Sequence, residues 1–215
     1  GGARNIWVED CSFIGTDIGL RFKTTRGRGG IVENIFINNI NMVDIPGEAI
    51  LFDMYYAAVD PVPLAGEKRP AIKSVNIPVT EETPQFKNFY IKNIVAKGAS
   101  KGIFFRGLPE MHIQNIWIEH ATLQANRGIE IIEASQINLK NIVLKTQQRN
   151  PLISIENSSG IHLDNIQALD APEVYVQVSG DKSDNIRLTK SNTSSAKVVS
   201  QFIAGSTEKS LTIKN

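Results

Sequence analysis

The run Asn34-Ile35-Phe36-Ile37-Asn38-Asn39 decides how this chain folds, because it is one copy of a phrase that keeps returning. In the form Asn-Ile-x-Ile-x-(Asn/Asp) it recurs as Asn5-Ile6-Trp7-Val8-Glu9-Asp10, as Asn88-Phe89-Tyr90-Ile91-Lys92-Asn93 and as Asn115-Ile116-Trp117-Ile118-Glu119-His120. Weaker copies begin at Gln136, Gly160 and Asn185, and a shortened one is Ser210-Leu211-Thr212-Ile213. Within each copy, apolar and polar residues alternate with the period of a strand. Apart from one long gap, the copies lie about 21 to 29 residues apart, the period of a solenoid.

A second short alternating segment follows each copy, at 19–23, 49–53, 102–106, 128–132, 152–156, 174–178 and 201–204. Little between the two segments has a helical period. The expectation is an all-β chain, a right-handed single-stranded parallel β-helix, covering residues 1–215. Each coil buries its apolar rows against the coils above and below, and asparagines stacked at the turns bond along the axis as ladders. A β-sandwich is the alternative, but it does not place the same phrase in the same position of every coil. Residues 57–85 interrupt one coil. Pro61, Pro63, Pro70, Pro78 and Pro84 exclude a central strand or helix interior there. A loop of this length is either functional or an inert insertion.

Composition removes several functions. The 215 residues carry 23 basic and 22 acidic side chains, a formal net charge of +1, so no general attraction to polyanions follows. No aromatic-basic module for nucleic acid stands out. There is no apolar run long enough to span a bilayer and no signal peptide. The single cysteine, Cys11, excludes an intrachain disulfide framework and a multi-cysteine metal site, and reads as a buried small apolar residue. No cofactor and no metal are called for. Asn157-Ser158-Ser159 and Asn192-Thr193-Ser194 match the glycosylation pattern, but a turn explains each. The abrupt start Gly1-Gly2-Ala3, directly before a strand and without a cap, reads as a cut through a larger protein.

The chemistry concentrates in Gly19-Leu20-Arg21-Phe22-Lys23-Thr24-Thr25-Arg26-Gly27-Arg28-Gly29-Gly30. Leu20 and Phe22 face one way and Arg21 and Lys23 the other. Two cations side by side repel unless an anion lies over them, and a glycine-rich, arginine-bearing turn follows at once. The arrangement fits a seat for a carboxylate or phosphate, or equally a basic strand edge kept charged against aggregation. Aligning the second strands coil by coil puts Lys23 beside Asp53 and Asp53 beside Arg106, with Tyr55 outward on the same face. Such a row is either a surface ion-pair ladder or a support that holds Lys23 for an anionic ligand.

At this point the residues resemble a known family. Gly19-Leu20-Arg21-Phe22-Lys23-Thr24, after Asn5-Ile6-Trp7-Val8-Glu9-Asp10-Cys11-Ser12-Phe13, resembles the C-terminal part of family 28 glycoside hydrolases, the polygalacturonases. Where that family has Arg-Ile-Lys, this chain has Arg21-Phe22-Lys23. The stretches 25–34 and 82–88 resemble its bacterial branch. The resemblance implies hydrolysis of α-1,4-galacturonan with inversion, Arg21 and Lys23 binding a galacturonate carboxylate beside the scissile bond, and Tyr55 contacting substrate, with Arg28 close by. It implies acidic polysaccharide as the partner, upstream coils of the same protein as a second one, and a secreted or periplasmic setting. The family's Asn-Thr-Asp, Asp-Asp and Gly-His-Gly signatures, which supply its catalytic acids and a histidine, are absent. Inverting hydrolysis needs two carboxyls, so no catalytic residue is assigned and the chain alone is expected to be inactive. Two other readings compete: a non-catalytic β-helix module that grips acidic polysaccharide, and a purely structural solenoid.

Overall fold

The computed structural model describes residues 1–56 and 75–214. It is a parallel β-helix. The first coil holds β1 (Ala3–Ile14) and β2 (Leu20–Lys23), the second β3 (Ile31–Val43) and β4 (Glu48–Asp53). The next two are wound from single long strands, β5 (Gln85–Arg106) and β6 (Ile113–Ile132). Then come β7 (Ala134–Thr146) with β8 (Ile153–Glu156), β9 (Ser159–Ala168) with β10 (Val174–Ser179), β11 (Ile186–Thr189) with β12 (Val198–Ile203), and finally β13 (Leu211–Lys214). All strand pairings between coils are parallel, and one 3-10 turn, Glu208–Ser210, precedes β13.

The repeated phrase builds the corners. Asn5, Asn34, Asn88 and Asn115 at its start, and Asp10, Asn39, Asn93 and His120 at its end, all take left-handed backbone angles with φ between 53° and 60°. Asn and Asp are the side chains that tolerate this region at least cost. Two corners five residues apart turn one chain segment through successive faces without breaking it. The amides then stack as expected: Asn34 donates to Asn5 at 3.1 Å, Asn88 to Asn34 at 3.2 Å and Asn115 to Asn88 at 2.8 Å. A second ladder runs from Asn39 to Asp10 at 2.7 Å and from Asn165 to Asn141 at 2.8 Å.

Inward positions form apolar rows along the axis. Val8, Ile37, Ile91, Ile118, Leu139, Leu163, Leu188 and Ile213 make one such row, and Phe22, Phe52, Phe105, Ile131, Ile155 and Val178 another. Near the N-terminal end the core is aromatic, with Phe52 4.5 Å from Phe22 and 4.9 Å from both Phe89 and Phe105, ring to ring. Outside, Trp7, Phe36 and Tyr90 stack face to face at 5.2 Å steps. Cys11 lies in an inward row, opposite Ile40, but is only partly buried because it sits in the first coil. Both glycosylation-like triplets are turns: Asn157 donates to the Glu133 carboxylate, and Asn192 accepts from the Ser194 amide and hydroxyl. Of the irregular stretch 57–85, residues 57–74 lie outside the described residues. Residues 75–84 are extended, with a Thr80–Thr83 turn, and rejoin the solenoid at Gln85.

Candidate functional site

The face built by β2, β4 and the ends of β5 and β6 carries the basic stretch. Leu20 and Phe22 enter the core, which forces Arg21 and Lys23 outward. The inter-coil register pairs Lys23 with Asp53 and Asp53 with Arg106, as the alternation requires. The pairing within that row is uneven. Asp53, 4% exposed, accepts two bonds of 2.8 Å from Nε and Nη2 of Arg106, a bidentate fork. The Lys23 ammonium lies 3.8 Å from the ring centroid of Tyr56, a cation–π contact the sequence reading missed. β4 ends at Asp53 with Met54 buried, so strict alternation no longer dictates where Tyr55 and Tyr56 point.

Tyr55 is half-buried beside the Arg106 end of that row. Its N–H donates to Asp53 Oδ1 at 2.9 Å, and its ring lies 5.3 Å from the Arg26 guanidinium and 5.5 Å from that of Arg106. Burial pushes its phenol up, against the pull of Arg26. Arg26 is fixed in turn by Glu110: Nε donates to Oε1 at 2.6 Å and Nη2 to Oε2 at 2.8 Å. The Glu110 side chain is 2% exposed. The hydrogen bond from Arg26 holds its carboxyl below the usual glutamate range, aided by the Ile77 backbone N–H, while burial works in the other direction.

Arg21 is less constrained. Its Nη1 lies 3.1 Å from Asp17, an exposed carboxylate, and the next outward positions along the axis are Leu51 and Phe104. With Ile18 these two form a small buried apolar cluster on that side of the sheet, and the Lys101 ammonium lies 3.8 Å over the Phe104 ring. Arg28 is exposed and, with Lys23, Thr24 and Gln85, lines a cavity of about 360 Å³.

The glycines of the turn serve close packing. A Cβ on Gly30, where φ is +81°, would fall 1.3 Å from the Gly1 carbonyl oxygen, and one on Gly29 2.2 Å from that of Glu81. The N–H groups of Gly27 and Gly29 both donate to the Glu82 carbonyl, at 3.1 and 2.9 Å. These backbone donors are spent on the 80–85 segment and are not open to an anion, while the side chains of Lys23 and Arg28 line the adjoining cavity.

Further along the face, the row continues through Ile132 to Glu156, and the neighbouring row through Glu130. Burial, reinforced by the charges of Glu133 and Glu130, raises the Glu156 carboxyl above its ordinary range. Glu133, 2% exposed, faces His112 Nε2 at 3.1 Å and accepts from Asn157 at 3.1 Å. The two aspartates nearest the basic strand, Asp17 and Asp53, are both engaged by arginines. Asp44 is a corner residue with φ +56°, its N–H bonded to the Lys97 carbonyl. Among the described residues no group of His, Cys, Asp and Glu is arranged to hold a metal ion, and no helix is long and apolar enough to cross a membrane.

With this geometry in hand, comparison with known families is informative. Residues 2–88 match the family described as Glycosyl hydrolases family 28. Over that stretch the chain is similar to the family. The similarity is to a family of glycoside hydrolases and is confined to the N-terminal two fifths of the chain. No curated protein and no solved structure matches the chain. The family match includes Arg21, Lys23, Arg28 and Tyr55, whereas Arg106, Glu110 and the Glu133–His112 pair lie beyond it, on coils that continue the solenoid in register.

Proposed function

We propose that this chain forms the acidic-sugar-binding part of a pectin-degrading hydrolase that cleaves α-1,4-galacturonan with inversion. The observation that carries the reading is the outward pair Arg21 and Lys23 on one four-residue strand inside the family-matched region, with Arg28 across the adjoining cavity. Arg21 offers a planar fork to a sugar carboxylate and Lys23 a point charge. Tyr55 and Tyr56 supply the aromatic flank. The whole chain is one solenoid with an insertion at 57–85, the setting is secreted or periplasmic, and the sequence stretches 25–34 and 82–88 favour the bacterial branch of the family.

No residue of this chain is assigned as the acid or the base of the reaction. A specific observation supports the second reading, a binding module without chemistry: Asp17 and Asp53, the carboxylates nearest the basic strand, are both held in ion pairs with arginines. Reducing-sugar release from polygalacturonate by the complete gene product, with and without Lys23→Ala, separates the two. A hydrolase weakened by the substitution supports the first. No release by either form leaves the binding module.

A further inference from the structure

The four cations of the basic stretch are not equivalent. Arg26 is not among the residues lining the cavity that Arg28 borders, and it makes the longest-range ion pair in this region, to a carboxylate 84 residues on. Three segments meet at that pair. Arg26 belongs to the turn that carries Arg28. Glu110 belongs to the tight turn closed by Leu108 and Met111 on the third coil, with the Leu108 N–H donating to the Met111 carbonyl at 3.3 Å. Val75, whose carbonyl accepts from Arg26 Nη2 at 2.9 Å, and Ile77, whose N–H supports Glu110, come from the stretch that leads back into the solenoid. The pair thus spans from the first coil to the third along the outside of the face. Over it lies the ring of Tyr55, whose own backbone is held by Asp53 and whose far-side neighbour Arg106 is held by the same Asp53.

We propose that Arg26 and Glu110 form a latch that holds Tyr55 and the Arg28-bearing turn in the geometry that receives an acidic glycan. Glu110 is then a positioning residue outside the family-matched segment, and Arg26 is a structural cation and no part of the anion seat. The inference rests on the reading of this face as an acidic-glycan site.

The test uses trigalacturonate binding by titration calorimetry, well below the melting temperature of each variant, with Lys23→Ala as the reference. Glu110→Gln adds one net positive charge to the face. If only electrostatics mattered, a polyanion would bind more tightly; loss of the latch instead weakens binding about tenfold. Arg26→Lys keeps the charge but loses the fork and the planar contact with Tyr55, and weakens binding in the same way. Unchanged or tighter binding by Glu110→Gln, while Lys23→Ala weakens it, overturns the latch. If Lys23→Ala also has no effect, the substrate reading falls, and the latch is judged by nitration of Tyr55 mapped by peptide mass spectrometry. Faster nitration of Tyr55 in Glu110→Gln upholds it, and an unchanged rate overturns it.

Discussion

Replacing Arg106 by methionine should be among the most damaging single changes on the outer face. The Asp53 side chain is 5% exposed and that of Arg106 13%, and the two bonds between them are both 2.8 Å. Methionine keeps most of the arginine stem's packing and removes only the charge and the fork. Little water can then reach the Asp53 carboxylate, and a buried charge stripped of its partner costs about 3–5 kcal/mol. In a chain of 215 residues that lowers the melting temperature by roughly 10 °C. Arg4→Met is the internal contrast, because Arg4 is 67% exposed and its contact with Glu33 is 3.9 Å long. An exposed pair of that kind is worth at most about 1 kcal/mol. Asp53→Asn combined with Arg106→Met should recover most of the loss, since no uncompensated charge remains and the asparagine oxygen still accepts from Tyr55 N–H. The assay is urea unfolding followed by the fluorescence of Trp7 and Trp117, with scanning calorimetry alongside. A loss below about 1 kcal/mol for Arg106→Met, or equal losses for the single and double variants, would refute the argument that the pair is effectively dry.

Three further expectations concern other parts of the molecule. Asn88→Ala puts a Cβ-bearing residue without a polar group at φ +60° and cuts the ladder between Asn34 and Asn115, which should cost about 1–3 kcal/mol by the same unfolding assay, whereas Asn88→Gly should cost less. Equal losses for the two would show that backbone angle plays no part. Glu156 binds its proton more tightly folded than unfolded, so its contribution to stability falls as pH rises from the ordinary value of 4.5 through the raised one. Glu156→Gln should therefore melt higher than wild type at pH 7, by a margin that vanishes in acid below that window, and a margin independent of pH would contradict the assignment. Glu110 has the opposite sign: its lowered carboxyl stabilises the fold above the ordinary glutamate value, and this is lost as pH falls through the depressed one.

The fold was legible because the repeat encodes both things a β-helix needs. Asparagine at fixed positions marks left-handed corners, and apolar alternation between them fixes which side chains stack. The Lys23, Asp53 and Arg106 row followed from the same alternation, since a period of two leaves one register that keeps Phe22, Phe52 and Phe105 inside. Legibility stops where strands stop. The contact of Tyr56 with Lys23 was not legible, because the chain leaves strand geometry after Asp53 and alternation no longer says where its side chain points. The glycine-rich turn reads as an anion seat from its composition, yet its N–H groups are used by Glu82, a contact set by how residues 80–85 return over it. Glu110 has no local signal at all: it is a lone acid between Pro109 and Met111, and its partner is 84 residues away on another turn. Cys11 follows the inward pattern but belongs to the first coil, where the pattern alone does not guarantee cover.

The most direct test of the account is calorimetric titration of this chain with trigalacturonate and, in parallel, with an uncharged oligosaccharide of the same length. The account predicts binding of the acidic sugar alone, weakened by about 2–3 kcal/mol on Lys23→Ala as a charge-assisted bond is lost. Equal affinity for the uncharged sugar, or an acidic affinity that Lys23→Ala leaves unchanged, would contradict it.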